Sequence, residues 1–219
     1  MTHIIFCKVP KSRRECMGGT GISSLLGKNK WTSRDALKDY YLGVTEGPDQ
    51  NKFMEWGLRL EDPVATKYAD FNNESLVDPV EETKRDLLPG HTLIHPEHNF
   101  LVGSPDRLVR QNSRYKVKNH PLGLEVTGIK HGLEIKTAYY FSVKKWDKEG
   151  VPEQYKIQCQ FYMLLTGLMK WDLCVLHTGS ADYQQFTLEA DPLLHAEMIK
   201  AATDFWKEIE SEKEKRGRS

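Results

Sequence analysis

Through about residue 90, apolar positions recur at helical spacing. A turn-rich stretch, Gly18-Gly19-Thr20-Gly21, leads into a short apolar segment from Ile22 to Leu26, which Gly27 closes. Thr32 or Ser33 is placed to cap a helix carrying Ala36, Leu37, Tyr40 and Tyr41 on one face, and Gly43 stops it. A second helical pattern runs through Phe53, Trp56, Leu60, Val64 and Tyr68. Pro63 falls inside it, which predicts a kink or two abutting helices. From Thr92 the pattern turns extended, with strands expected over 92–95, 100–104, 107–109, 115–118, 122–127 and 132–137. A helix over 152–165 follows, then a hairpin of strands over 173–178 and 183–188. A last helix begins near Pro192 and carries Leu194, Met198, Ala201, Phe205 and Ile209; its charged tail, 210–219, is expected to fray. No repeat and no low-complexity linker interrupts the chain. The expected organisation is a single α/β domain over 1–219, helical to about 90, with a sheet and flanking helices over about 91–210.

Composition narrows the class. The 219 residues are 39% hydrophobic, enough for a core, yet no run approaches the roughly 18 apolar residues of a membrane span. Ile4, Ile5 and Phe6 are too short a run for a signal sequence, so a soluble, cytoplasmic protein is expected. Cys7, Cys16, Cys159 and Cys174 form no Cys-x-x-Cys pair and lack the clustering of an iron–sulfur site; structural thiols are expected. With 31 basic and 31 acidic side chains the net charge is zero, which argues against a simple DNA-coating protein. The distribution is uneven: between Arg107 and Leu124 stand Arg107, Arg110, Arg114, Lys116 and Lys118 and no acid, and Lys8, Lys11, Arg13 and Arg14 form a smaller group. Beside a carboxylate motif, such runs read as phosphate contacts.

That motif lies between them. Gly103-Ser104-Pro105-Asp106 ends one strand, and Gly132-Leu133-Glu134-Ile135-Lys136 forms another. Alternation along a strand puts Glu134 and Lys136 on one face and sends Leu133 and Ile135 into the core. If the Asp106 segment pairs nearby, two carboxylates and an ammonium meet, a set suited to phosphodiester hydrolysis. Carboxylate oxygens hold hard divalent cations, a metal pair roughly 3.5–4 Å apart stabilises attacking and leaving oxygens, and the lysine orients or deprotonates water. Glu125 is a rival, but no lysine stands two positions beyond it. His91, His95 and His98 lack a fourth zinc ligand, and His95-Pro96 reads as a turn. Trp31, Trp56, Trp146, Trp171 and Trp206 read as core anchors, with Trp146 on a polar stretch that could expose it.

Five ordered blocks make a more specific pattern: 18–27 with Trp31 after it, Trp56-Gly57-Leu58-Arg59-Leu60-Glu61, Gly103-Ser104-Pro105-Asp106, Leu133-Glu134-Ile135-Lys136-Thr137, and Tyr155-Lys156-Ile157-Gln158-Cys159-Gln160. Together they resemble the lambda-exonuclease, or YqaJ-like viral recombinase, branch of the Pro-Asp/Glu-x-Lys nuclease superfamily, over about 13–206. The resemblance implies a restriction-endonuclease-like core, a central mixed sheet flanked by helices. It implies metal ligation by Asp106 and Glu134, by the Ile135 carbonyl and, directly or through water, by Glu61. It further implies a catalytic Lys136, with Gln158 and Gln160 orienting it, the water or a phosphate.

The same resemblance implies Mg2+, two ions with Mn2+ able to substitute, and digestion of one strand of duplex DNA from its 5′ end to mononucleotides. It implies a ring-shaped homotrimer enclosing DNA ends, which suits a neutral chain whose basic residues line only a channel, and a single-strand annealing partner in recombination. Arg13 stands seven positions before Thr20, as a phosphate-binding arginine precedes a serine in the family's namesake. This makes Arg13, or Arg14, with Thr20 the candidate pocket for a 5′-terminal phosphate. One departure is the 28 positions from Asp106 to Glu134, longer than in compact members, which an extra hairpin over 110–130 would fill. An endonuclease or junction resolvase on the same core, or a non-catalytic DNA-binding module, are the rival readings.

Overall fold

The computed structural model describes residues 4–7, 12–47, 51–77, 92–111 and 114–217. The first element among the described residues is not a helix but a strand, β1 (Ile4–Cys7), all four residues of which are buried. The helices α1 (Gly19–Leu25) and α2 (Arg34–Tyr41) follow; the Ser33 hydroxyl accepts from Ala36 N at 3.2 Å and caps α2 as its sequence predicts. The helix α3 (Lys52–Asn72) starts under an Asn51 cap and ends at Asn73, which is left-handed at φ 52°. Neither two helices nor a break occurs at Pro63. One helix runs through it, because the proline and Arg59, whose carbonyl loses its donor there, both lie on the exposed side.

The strands β2 (Ser75–Val77), β3 (Leu93–Ile94), β4 (Val102–Gly103), β5 (Arg107–Arg110), β6 (Lys116–His120), β7 (Gly123–Thr127) and β8 (Ile129–Tyr139) come next. After a short turn come α4 (Val143–Glu149), α5 (Glu153–Thr166), β9 (Lys170–Thr178), β10 (Asp182–Glu189) and α6 (Pro192–Gly217). The tail expected to fray is instead the continuation of α6 to Gly217, where Lys215 and Arg216 sit favourably at a helix C-terminus.

These strands form two sheets. The mixed one has the order β10-β9-β8-β5-β2, with β8 and β9 parallel and every other pair antiparallel. The second has the order β4-β3-β1-β7-β6 and is antiparallel throughout. The hairpin expected over 110–130 exists as β6 and β7, but β7 pairs with β1, so the insertion completes a second sheet. The signal was missed because Ile4–Cys7 is apolar on every residue, as befits a strand buried on both faces.

The main core lies between the sheets around α5, where Phe6 and Val126 meet Phe161, Met163, Leu173 and Phe205. A smaller core fills the other face of the mixed sheet, where Val64, Ala65 and Tyr68 of α3 cover Val109, Leu133 and Ile135. Two glycines permit this closeness. A Cβ on Gly103 would stand 2.7 Å from the Tyr162 ring, and one on Gly132 would stand 2.2 Å from the Trp171 ring. Trp171 is a core anchor as expected, and Trp146 is buried too, against Tyr155 and Phe186. Trp31 and Trp56 are not anchors, being 74% and 62% exposed. For Trp56 the reason is that α3 buries its apolar side only from Val64 onward. All four cysteines are buried thiols; burial pushes Cys174 up to about 12.

Candidate active site

Register builds the site. Arg107 of β5 lies opposite Leu133 of β8, so Asp106, one residue before, arrives beside Glu134 and Ile135. Asp106 Oδ2 accepts the Ile135 amide at 2.7 Å, which fixes the carboxylate against the strand. Leu133 and Ile135 enter the smaller core under α3, while Glu134 and Lys136 turn to the opposite face. Glu134 Oε1 accepts from Lys136 Nζ, and Lys136 Nζ also stands 5.4 Å from the Tyr155 ring centre on α5. Glu61 approaches from α3, held by Arg107 Nη1 at 2.5 Å.

This grouping of charge is costly in ordinary terms. Glu134 is fully buried, and burial together with Asp106 pushes its carboxyl up to about 8 against the pull of Lys136. Burial likewise raises Asp106, opposed by Lys136 and the Ile135 amide. Glu61 is raised by burial and by the charge of Asp106. For Lys136 burial works the other way, but Glu134 and Asp106 outweigh it and hold the ammonium above its usual range. One atom stands out: Glu134 Oε2 is buried with no hydrogen-bond partner.

An orphaned carboxylate oxygen beside a second carboxylate fits a hard cation. Among the described residues no three His, Cys, Asp or Glu side chains converge at ligand spacing, so Asp106 and Glu134 would need main-chain or water oxygens beside them. The Ile135 carbonyl, one residue from each of Glu134 and Lys136, is of the right chemistry.

The other expected residues divide. Gln158 Nε2 donates to Tyr162 Oη at 3.1 Å, and that hydroxyl donates to the Ser104 carbonyl at 3.0 Å, two residues before Asp106. Gln158 and Thr20 line one small cleft together with Tyr155. Gln160 does not reach the cluster. Its amide is committed to the Glu189 carbonyl, the Asp191 amide and the His195 ring, at 2.7, 2.9 and 2.9 Å, and so ties α5 to the start of α6. Two residues separate it from Gln158, which on a helix is more than half a turn.

The basic run also needs correction. Arg107 is buried, with its guanidinium between Glu61, Asp62 and the Asp106 carbonyl, so it clamps the site and presents nothing outward. Arg110, Arg114, Lys116 and Lys118 are exposed, Lys118 pairing with the rival Glu125 at 3.0 Å in the second sheet. Arg14 is tethered to the Thr45 carbonyl and to Glu46, at 3.0 and 2.8 Å, whereas Arg13 is exposed. Lys8, Lys11 and His91 lie outside the described residues. His95 is a buried turn residue: its Nδ1 accepts the Glu97 and His98 amides, and burial lowers it to about 4.

Sequence reading missed Tyr162, whose i, i+4 spacing from Gln158 was the available signal. It also missed a buried network behind the site, which no local pattern announces. Tyr68 Oη donates to Asp172 Oδ2 at 2.6 Å and meets His131 Nε2 at 2.9 Å, while Thr187 donates to Asp172 Oδ1 at 2.8 Å.

The mixed sheet that bears this carboxylate–lysine cluster, with its flanking helices, recurs in solved structures. An alkaline exonuclease of Laribacter hongkongensis superposes with a TM-score of 0.71 at 21% identity, over 94% of this chain and 93% of that one. The same enzyme is also known in complex with dAMP. A phage-related exonuclease of Haemophilus somnus 129PT gives 0.57 at 14% identity, over 90% and 96% of the two chains. The chain belongs to the YqaJ-like viral recombinase domain family, whose model matches residues 10–169. Bacillus subtilis YqaJ, an uncharacterized protein, is 28% identical over 197 residues, which are 89% of this chain but only 53% of that relative. The chain thus spans about half the relative's length.

Proposed function

We propose that this protein is a divalent-metal-dependent exonuclease that digests one strand of linear duplex DNA from its 5′ end and releases mononucleotides. The observation that carries the reading is the buried Glu134 with its unpartnered Oε2, beside Asp106 and Lys136. A fold without a use for that charge would gain by replacing it. Asp106, Glu134 and the Ile135 carbonyl are assigned as metal ligands, with Glu61 behind them. Mg2+ is the proposed ion, in a pair, with Mn2+ as substitute; bound there it supplies positive charge to the attacking and leaving oxygens. Asp106 and Glu134 fix the position of that charge through the Ile135 amide bond and the Lys136 contact. Lys136, held as an ammonium by its neighbours, acts as a donor that orients water and phosphate; of the two roles its sequence allows, this one has support. Gln158 positions the adjoining strand end through Tyr162 and Ser104. The clamp by Arg107 keeps Glu61 turned toward Asp106.

A closed trimer around DNA and a recombination role with an annealing protein complete the proposal. The trimer is checked by light scattering, which a monomer at every working concentration would contradict. The test of the activity is an end-labelled linear duplex: mononucleotides appear with Mg2+ and nothing is released in chelator. Oligonucleotide fragments in place of mononucleotides would favour the endonuclease reading.

End recognition is assigned to Arg13 with the Thr20 hydroxyl, since Arg14 is engaged elsewhere. A guanidinium fork matches the extra charge of a terminal phosphate. The wild type is expected to prefer a 5′-phosphorylated over a 5′-hydroxyl duplex, and Arg13→Ala to lose that preference while Arg14→Ala keeps it. Equal rates on both duplexes in the wild type would remove the pocket.

A further inference from the structure

The most exposed tryptophan stands beside the site. Trp31 is 74% exposed, yet its loop is hydrogen-bonded on both sides. Its main-chain N–H donates to Asn29 Oδ1 at 2.9 Å, and Asn29 Nδ2 donates to Ser24 Oγ at 3.1 Å. The Lys28 and Asn29 amides both bond the Ser23 carbonyl, at 2.8 and 3.1 Å, and two residues later Ser33 caps α2. The loop is therefore pinned to α1 at one end and to α2 at the other. Leaving an indole in water on a fixed loop forfeits the stabilisation that burial would bring.

What the indole faces is informative. Trp31 lines the same cleft as Thr20, Tyr155 and Gln158. Tyr155 in turn has Lys136 Nζ 5.4 Å from its ring centre. A terminal nucleotide whose 3′-side phosphodiester reaches Lys136 thus has its base within reach of a cleft with an aromatic rim and amide and hydroxyl walls. We infer that Trp31 is the stacking platform for the base of the 5′-terminal nucleotide, positioning it while the phosphodiester on its 3′ side is cut. Stacking accepts all four bases, since each has a π face, which suits a nuclease that must proceed through any sequence. This assignment rests on the exonuclease reading above and adds to it a specific contact.

The test pairs protein and substrate changes. Michaelis parameters are measured for wild type, Trp31→Ala and Trp31→Phe on 5′-phosphorylated linear duplexes whose terminal nucleotide carries a base or is abasic. Removing the base is expected to raise KM roughly tenfold for the wild type. Trp31→Ala is expected to raise it by a similar factor, with no further loss on the abasic end, and Trp31→Phe to restore most of the affinity. Additive losses, or an unchanged KM in Trp31→Ala, overturn the platform. A second readout is independent of cleavage: dAMP is expected to quench tryptophan emission in the wild type and not in Trp31→Phe. A protein that shows this quenching but digests no DNA defeats the nuclease reading and leaves the platform standing. One that digests DNA with additive losses and no Trp31-dependent quenching does the reverse.

Discussion

Glu134→Gln is expected to lower DNA cleavage by roughly 10³-fold or more, because metal charge and water activation act as a unit. Asp106→Asn and Lys136→Ala are expected to follow it. The fold should not suffer with the activity. Glutamine has the glutamate's shape, and the wild-type carboxyl, pushed up to about 8 by burial and by Asp106, is poorly served as an anion. A raised carboxyl contributes its stability below the unfolded value of about 4.3 and loses it as pH rises through the folded value. In chelator, then, the wild type is expected to melt progressively lower than Glu134→Gln as pH rises from about 5 to 8. Thermal melts with a parallel digestion assay check both halves. Near-native turnover by purified Glu134→Gln removes this glutamate from the site.

Asp172→Ala is expected to destabilise the protein by roughly 3–5 kcal/mol, the usual cost of removing one member of a buried ionic network. The loss would strand Tyr68, Thr187 and His131 together, and with Tyr68 the grip of α3 on the sheet. Burial alone would raise the Asp172 carboxyl, but the bonds from His131, Tyr68 and Thr187 outweigh it and hold the group well below the usual range. A carboxyl lowered in the folded state contributes its stability fully above the unfolded value of about 3.9 and loses it as pH falls toward the folded one. The wild type should therefore weaken below about pH 4, and Asp172→Asn should lack that part of the acid limb. Denaturant titrations at pH 3 and pH 7 check this; equal stability losses for Asp172→Asn at both values would contradict it.

How much of this was legible depended on distance along the chain. Glu134 and Lys136 were readable because a strand's period of two fixes their common face, and Asp106 because Pro-Asp ends the neighbouring strand. The Ser33 cap and the β9–β10 hairpin were local for the same reason. The second sheet was not, since β1 joins β7 across more than a hundred residues and only pairing gives its four apolar residues a meaning. Arg107 looked like part of a basic surface because charge runs carry no sign of burial; its partners Glu61 and Asp62 come from α3. Gln160 shared a helix with Gln158, but helical rotation sends the two amides to different neighbours. Trp31 read as core because an exposed indole is uncommon, and nothing in the loop's composition says that Asn29 ties its main chain.

The central claim is tested most directly on two substrates mixed in one tube: a linear duplex labelled at one 5′ end and a covalently closed circle, incubated with Mg2+. The account predicts early release of the 5′ label as a mononucleotide while the circle stays closed. Nicking of the circle, or release that begins at the 3′ end and leaves the 5′ label on long strands, would contradict it.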